Sequence, residues 1–384
     1  MSLNRTFRVL HLAHDHLSVR MLHDLLDEED GWEQHWWLDP DYQIAHAKHH
    51  WKGALPDRRA VEACLASPLD LIILHRLKGG VLEWVPKLPE GVPVIWASWG
   101  DDYYRHLIDL NRSLFLPRTR VLNALLGKFS VTWIRMKNFW RGNRDPFHQA
   151  LARMDGVTAF LGENAPFLSH LPAETRVYRS LYNQLPSALA PEWCTTTPGR
   201  VLLGTSGLNS GNHADLIHAL RRSPRPVGVQ YTAALSYGCP RYRWSIDQLG
   251  RWQLNASREK WSPQWEHLSP EDYAVWLRQF SSLILYNISI QSTGVVVLAL
   301  HAGLHVWMRA DAHFTAYFQS QGFKVGVLAA NEIPLAVYVP LTPLEREHNR
   351  QRVQGLFGKD AILAAFRNIA EDAQSGRLGR PRIA

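Results

Sequence analysis

Short apolar runs recur along this chain in the way a parallel sheet requires. Phe7–Leu12, Leu69–Leu74, Val92–Ala97 and Gly156–Leu161 each read as a strand. Runs rich in Val, Ile and Leu, with little polar alternation, suit strands covered on both faces. Pro93 falls at a strand start, where its missing N–H is tolerated. Ser18–Leu26 reads as a helix between the first two runs. Residues 185–199 then lose all periodicity and carry Pro186, Pro191 and Pro198, as a linker does. After them the pattern restarts: strand Arg200–Leu203, helix Asn212–Arg221, strand Val227–Tyr231. Ser269-Pro270 opens a further helix, with Ser as N-cap and Pro at the first helical position, running to about Phe280. Strand Ser282–Asn287, helix Gly294–Ala302 and strand Leu304–Met308 follow. Gly376–Ala384 is a polar, basic tail.

Strands alternating with helices predict an α/β protein. The break at 185–199 divides it into two doubly wound, Rossmann-like domains, residues 1–184 and 200–384. A chain of 384 residues is long for one core, which agrees. Ligands of such sheets sit beyond the carboxyl ends of the strands. The loops after Leu12, Leu74, Ala97, Leu203 and Asn287 are therefore expected to line a cleft across which the domains face each other, the GT-B arrangement.

Composition narrows the class only a little. The chain is 46% hydrophobic and 20% charged, as soluble globular proteins are. Its net charge of +7 favours an anionic partner. Cys64, Cys194 and Cys239 form neither a metal spacing nor a disulfide framework, which points to a reducing compartment. The N-terminus does not read as a signal peptide, and no apolar run is long enough for a membrane-spanning helix.

Five stretches carry candidate chemistry. Gly204-Thr205-Ser206-Gly207-Leu208-Asn209-Ser210-Gly211-Asn212-His213 joins a strand to a helix. Its glycines permit close backbone approach, its hydroxyls donate, and the helix start offers unpaired N–H groups to an anion. An ordinary strand–turn–helix connection uses the same residue types. Gln291-Ser292-Thr293-Gly294 is a second turn-to-helix anion site, or a plain helix start. Two such sites together suit a diphosphate and its sugar. His14-Asp15-His16 follows the first strand, where a carboxylate acts as general base, orients an acceptor hydroxyl or caps a helix. Two histidines without a third ligand do not make a metal site, and none is expected. His75 ends the next strand, and His46, His49 and His50 read as a solvated cluster. Trp96-Ala97-Ser98-Trp99-Gly100-Asp101-Asp102-Tyr103-Tyr104 places indoles, phenols and acids at a strand end, a combination that stacks on and hydrogen-bonds a sugar. Finally, Asn111–Arg144 contains no acid but eight Lys or Arg interleaved with Leu, Phe, Ile and Trp. That reads as an interfacial surface for anionic lipid, ahead of a nucleic-acid face, since no nucleic-acid module accompanies it.

Taken together, these stretches resemble the bacterial TDP-N-acetylfucosamine:lipid II N-acetylfucosaminyltransferases (4-alpha-L-fucosyltransferases, glycosyltransferase family 56). The family pattern Trp-x-x-Trp-Gly-x-Asp-x-Tyr is met by Trp96, Trp99, Gly100, Asp102 and Tyr104. Its Gly-Asn-Ser-Gly-x-x-Ser-x-x-His pattern is met by Gly204, Ser206, Gly207, Ser210 and His213, with Thr205 in place of Asn. Its Gln-x-x-Gly turn is met by Gln291 and Gly294, and Asp15 and His75 fall where the family has an Asp and a His. The chain departs from the family at Leu208, where an Asp is usual, and at Asp311-Ala312-His313-Phe314, where Asn-Pro-Phe-Trp is usual.

The resemblance implies a nucleotide-diphosphate-sugar donor, TDP- or UDP-linked, no cofactor or required metal, and a polyprenyl-diphosphate-linked acceptor at the cytoplasmic face of the membrane. On that reading Gly204, Ser206, Gly207, Ser210, His213, Gln291, Ser292, Thr293 and Gly294 bind the donor. His14, Trp99 and Tyr104 bind the acceptor, and Asp15, then Asp102, then His75 are the candidate bases. Three other readings are a glycosyltransferase acting on a protein or soluble sugar, a sugar- or nucleotide-binding protein without catalysis, and a nucleic-acid binder.

Overall fold

The computed structural model describes residues 6–42, 49–107, 114–127, 145–182, 197–254 and 260–378. Most of the expected linker, the greater part of the basic stretch (including Lys128, Arg135, Lys137, Arg141 and Arg144), His46 and most of the tail lie outside these residues. The chain forms two compact units. One is drawn from residues 1–107, 136–184 and 357–384, the other from 108–135 and 185–356.

The first unit is built on a parallel sheet of β1 (Phe7–Ala13), β2 (Trp32–Leu38), β3 (Leu71–His75), β4 (Val94–Ala97), β5 (Gly156–Ala159) and β6 (Arg176–Arg179), in the order β2-β1-β3-β4-β5-β6. Every residue of β3, β4 and β5 is buried, which is why their sequences are so uniformly apolar. Helix α1 (Leu17–Asp27) lays Val19, Leu22, Leu25 and Leu26 into the core, and α2 (Gly100–His106) follows β4.

The second unit uses β7 (Arg200–Leu203), β8 (Gln230–Ala234), β9 (Lys260–Gln264), β10 (Ser282–Leu285), β11 (His305–Arg309) and β12 (Gly326–Leu328), also all parallel, in the order β12-β11-β10-β7-β8-β9. Counted within the unit, that is the Rossmann order, with its reversal between β7 and β10. In the first unit the order reverses between β1 and β3. The expected strand Val227–Tyr231 begins later, at Gln230, because Gly228 turns the chain at φ +85°.

Two segments depart from a simple division at the linker. Helix α3 (Pro117–Leu125) belongs to the second unit, where Leu116, Leu122 and Leu126 pack against the core around β7 and α4 (His213–Arg222). Leu114 is buried as well. Of the leucines read from sequence as part of a lipid-facing surface, Leu114 is thus buried and Leu116, Leu122 and Leu126 are half-buried against this core, while Leu125 is exposed. Conversely, the C-terminal helix α6 (Lys359–Gln374) belongs to the first unit. Its Ile362, Leu363, Phe366, Ile369 and Ala370 complete the core around β1, α1 and β3. The helix between these, α5 (Thr293–His301), follows β10.

Candidate active site

The reversal point of the second sheet is where the two glycine- and hydroxyl-rich loops emerge, one after β7 and one after β10. Adjacent parallel strands deliver adjacent loops, and here a hydrogen bond joins them: Ser210 Oγ donates to Gln291 Oε1 at 2.7 Å. The two candidate anion sites are thus contiguous. Gly204 turns the chain off β7 at φ +65°, and a Cβ there would lie 2.6 Å from His213 Nε2. A Cβ on Gly211 would lie 2.5 Å from Cε1 of the same ring. Both glycines are needed because the imidazole occupies the space a side chain would fill.

His213 is 1% exposed, and burial pushes its pKa down to about 4, so the ring is neutral. Neither of its nitrogens, nor the buried Ser206 Oγ, has a hydrogen-bond partner among the described residues. Such groups are ready to meet a polar ligand. Ser292 sits in the left-handed region at φ +53° and precedes α5 without a side-chain cap. Gly207 has a different role: its N–H donates to Tyr237 O at 2.9 Å, and a Cβ there would strike that carbonyl and Arg243. It fastens the loop to the segment that follows β8. Arg309, at the end of β11, is buried, stacks over Tyr286 at 4.7 Å and is held by both oxygens of Asp311.

Sequence reading missed what holds this site together. Asn212 is fully buried in the left-handed conformation. Its Oδ1 accepts from the Leu116 N–H at 2.9 Å, and its Nδ2 reaches the carbonyls of Leu114 at 3.0 Å, Ser210 at 3.3 Å and Tyr286 at 3.3 Å. Asp215, one helical turn on, accepts from the N–H groups of Arg118 at 3.0 Å and Thr119 at 2.8 Å. It caps α3 from outside. One sequence signal existed: Pro117 starts a helix whose preceding residue is Leu116, which has no capping side chain, so the cap had to come from elsewhere.

In the first unit the candidate bases are held in three different ways. Asp15 follows β1 and receives the Arg20 guanidinium on both oxygens, at 2.6 Å each. Asp102, the second choice, is fully buried. Trp96 Nε1–H and the N–H groups of Leu77 and Trp99 all converge on its Oδ2, at 3.1, 3.1 and 3.3 Å. Burial, with Asp101 beside it, pushes its carboxyl up to about 8. Three N–H donors on one carboxylate oxygen, at a position closed to solvent, make the Trp-x-x-Trp-Gly-x-Asp stretch a structural clasp. His75, the third choice, is also fully buried. It lies in a chain in which Tyr182 Oη is 2.5 Å from His75 Nδ1, His75 Nε2 is 2.8 Å from His11 Nδ1, and His11 Nε2 is 2.6 Å from Gln34 Oε1. An amide oxygen only accepts, so His11 carries its proton on Nε2, His75 carries its own on Nε2, and Tyr182 donates to His75. Both rings are kept neutral by burial, and neither reaches solvent.

Of the acceptor-side residues, His14 is buried beside Asp39, 3.3 Å away, and Tyr104 is packed on Tyr103 at 4.6 Å. Trp99 alone stays half-exposed, with His16 edge-on at 4.5 Å and the Arg76 guanidinium 5.6 Å from its ring. Arg76, in the left-handed region at φ +75°, is ion-paired to the exposed Asp101. His16, Arg76, Trp99 and Asp101 form the accessible group at this end of the sheet.

No protein-family model matches this sequence, and neither does any curated protein. Solved structures do match over nearly the whole chain. Sucrose-phosphate synthase from Thermosynechococcus elongatus aligns with 96% of this chain and 100% of its own at 15% identity, TM-score 0.57. The lipopolysaccharide outer core galactosyltransferase WaaB aligns with 97% and 100% at 9% identity, TM-score 0.60. HepE from Anabaena, solved in complex with UDP and glucose, aligns with 96% and 100% at 13% identity, TM-score 0.52. What this chain shares with them is its fold: two six-stranded parallel α/β units, the GT-B fold.

Proposed function

We propose that the protein is a glycosyltransferase that takes a sugar from a nucleotide-diphosphate donor. The observation that carries this reading is the joined pair of loops at the reversal point of the second sheet, with Ser210 bound to Gln291 and the unpartnered Ser206 and His213 beside them. Hydroxyls, a neutral imidazole and the N-terminus of α5 are groups that stabilise a departing diphosphate. The UDP and glucose bound by HepE, on the same fold, agree with this. In the first unit Trp99, with His16, Arg76 and Asp101, is the surface offered to an acceptor sugar. Among the three candidate bases Asp15 is the one whose side chain is not wholly sealed from solvent, and Arg20 orients it.

The finer reading is an N-acetylfucosamine-like deoxy sugar passed to a lipid-linked saccharide in cell-surface polysaccharide synthesis, on the inner face of the cytoplasmic membrane. The motif resemblance supports it, and so does the basic composition of residues 128–144. No helix among the described residues is long and apolar enough to cross a membrane, which a peripheral enzyme does not need.

The test is thermal stability against TDP, UDP, GDP and CMP, with and without magnesium. A ligand that binds only the folded state raises the melting temperature by mass action. A shift with one nucleoside diphosphate, independent of magnesium and abolished in Ser210→Ala, is expected. No shift with any of them removes the donor site. Pelleting with anionic liposomes that weakens with salt tests the membrane reading, and salt-independent pelleting counts against it.

A further inference from the structure

Away from the strand ends that carry the donor and acceptor groups, the first unit holds a cluster that the sugar-transfer reading does not use. His23 and Asp24 lie near the end of α1, and His49 lies on the segment that runs along the outer edge of β2. That segment is a strap. The Trp36 N–H donates to Gly53 O at 2.9 Å, and the Leu55 N–H donates to Trp36 O at 2.7 Å. Gly53 permits this close approach, since a Cβ there would lie 2.1 Å from the carbonyl of Gln34.

Three ligand-type atoms meet where the strap passes α1. His23 Nδ1 is 3.2 Å from His49 Nε2 and 3.3 Å from Asp24 Oδ1, and His49 Nε2 is 3.4 Å from the same oxygen. The triangle is close to equilateral. A tetrahedral ion with ligand distances of about 2.0–2.1 Å has an edge of about 3.3–3.4 Å between ligand atoms. The three atoms therefore already stand at the corners of one face of such a tetrahedron. The far nitrogen of the buried His23 lies 3.3 Å from the carbonyl of Lys52. A carbonyl only accepts, so that nitrogen carries the proton and Nδ1 presents its lone pair to the triangle. This is the outer-shell hydrogen bond that fixes a metal-ligating histidine. The rings of Trp51, at 4.8 Å from His23 and 4.6 Å from His49, and of Trp36, at 5.4 Å from His23, wall the cluster on its apolar side. Two cations on the same elements are each paired, Lys52 with Asp27 at 2.7 Å and Arg20 with Asp15.

We propose that His23, Asp24 and His49 bind a divalent transition cation of the zinc class. Two imidazoles and one carboxylate are a zinc ligand set, with the fourth position left to water. The ion joins α1 to the strap and so fastens the cover of the β2 edge. It is separate from the donor site and independent of the transfer reading.

The test is titration of the untagged, chelator-treated full chain with Zn2+ by calorimetry, and with Co2+ by visible absorption. One equivalent of Zn2+ is expected to bind, with the intense visible bands of four-coordinate Co2+. His49→Ala and Asp24→Asn, at half-buried and exposed positions, are expected to keep their fold by circular dichroism and to bind at least tenfold more weakly. His50→Ala, altering the neighbouring exposed histidine, is expected to bind as the parent does. No stoichiometric uptake, the weak spectrum of six-coordinate Co2+, or equal binding by His49→Ala overturns the proposal. A nucleotide-induced melting shift in the same preparation reports the donor site separately, so the two readings fail independently.

Discussion

Asn212→Ala is the substitution that tests the second unit most directly. Asn212 offers one acceptor and two N–H donors, and all are used, on Leu116, Leu114, Ser210 and Tyr286. Alanine removes about three hydrogen bonds' worth of pairing from a fully buried position, at about 1 kcal/mol each. It also places a Cβ residue without a helping polar side chain at φ +52°, ψ +36°, which costs about 1 kcal/mol more. The sum is about 4 kcal/mol, a large part of the 5–15 kcal/mol that typically holds a domain folded. At about 2–4 °C per kcal/mol for a unit of this size, the corresponding transition falls by about 10 °C. Scanning calorimetry reads that shift. Asn212→Gly keeps the conformation and loses the bonds, so it is expected to recover about 1 kcal/mol of the loss. Because Asn212 anchors Leu114 and Leu116, limited proteolysis between residues 114 and 127 is expected to speed up as well. A loss below about 1 kcal/mol for Asn212→Ala would show that these bonds do not hold the loop, and would refute the reasoning.

Asp215→Ala removes the external cap of α3 and is expected to cost about 1–2 kcal/mol, read by urea unfolding. Gly204→Ala drives a Cβ to 2.6 Å from the His213 ring; nucleotide binding is expected to drop at least tenfold by calorimetry, and unchanged affinity would mean that this loop does not touch the donor. Acid is expected to destabilise both units. Burial holds His11 at about 3 and His213 at about 4 against 6.5 in the unfolded chain, so below pH 6.5 the unfolded state binds protons that the folded state refuses. Each histidine then costs about 2 kcal/mol at pH 5 relative to pH 7, and a flat unfolding profile over that range would contradict the assignment. Asp15→Asn is expected to slow sugar transfer about 100-fold or more, and full activity would remove it as the base.

The strands that sequence reading found and missed divide along a physical line. The eight recognised from apolar runs are β1, β3, β4, β5, β7, β8, β10 and β11, and each has a neighbour on both sides. The four missed, β2, β6, β9 and β12, are the edges of the two sheets. Edge strands are partly wet, so Trp32-Glu33-Gln34-His35 or Lys260-Trp261-Ser262 carry mixed residues that periodicity does not distinguish from loop. The two glycine- and hydroxyl-rich loops were legible as strand-to-helix turns because glycine and hydroxyl chemistry is local. The bases were not: whether an aspartate at a strand end is free, paired or sealed depends on residues such as Arg20, or Trp96 and Leu77, brought there by the fold. Placement of α3 was illegible for the same reason, since its caps come from Asn212 and Asp215, far along the chain.

The return of α6 to the first unit has a consequence for how the protein is made. Phe366 and Ile369 are fully buried among residues synthesised near the start of the chain. While the ribosome is still adding residues, that core lacks one wall and exposes apolar surface from β1 and α1. The second unit, by contrast, has all its strands once β12 has emerged. The usual order, in which an N-terminal domain finishes first during translation, is therefore not open to this core. The core of the first unit closes only after the whole of the second unit has been synthesised.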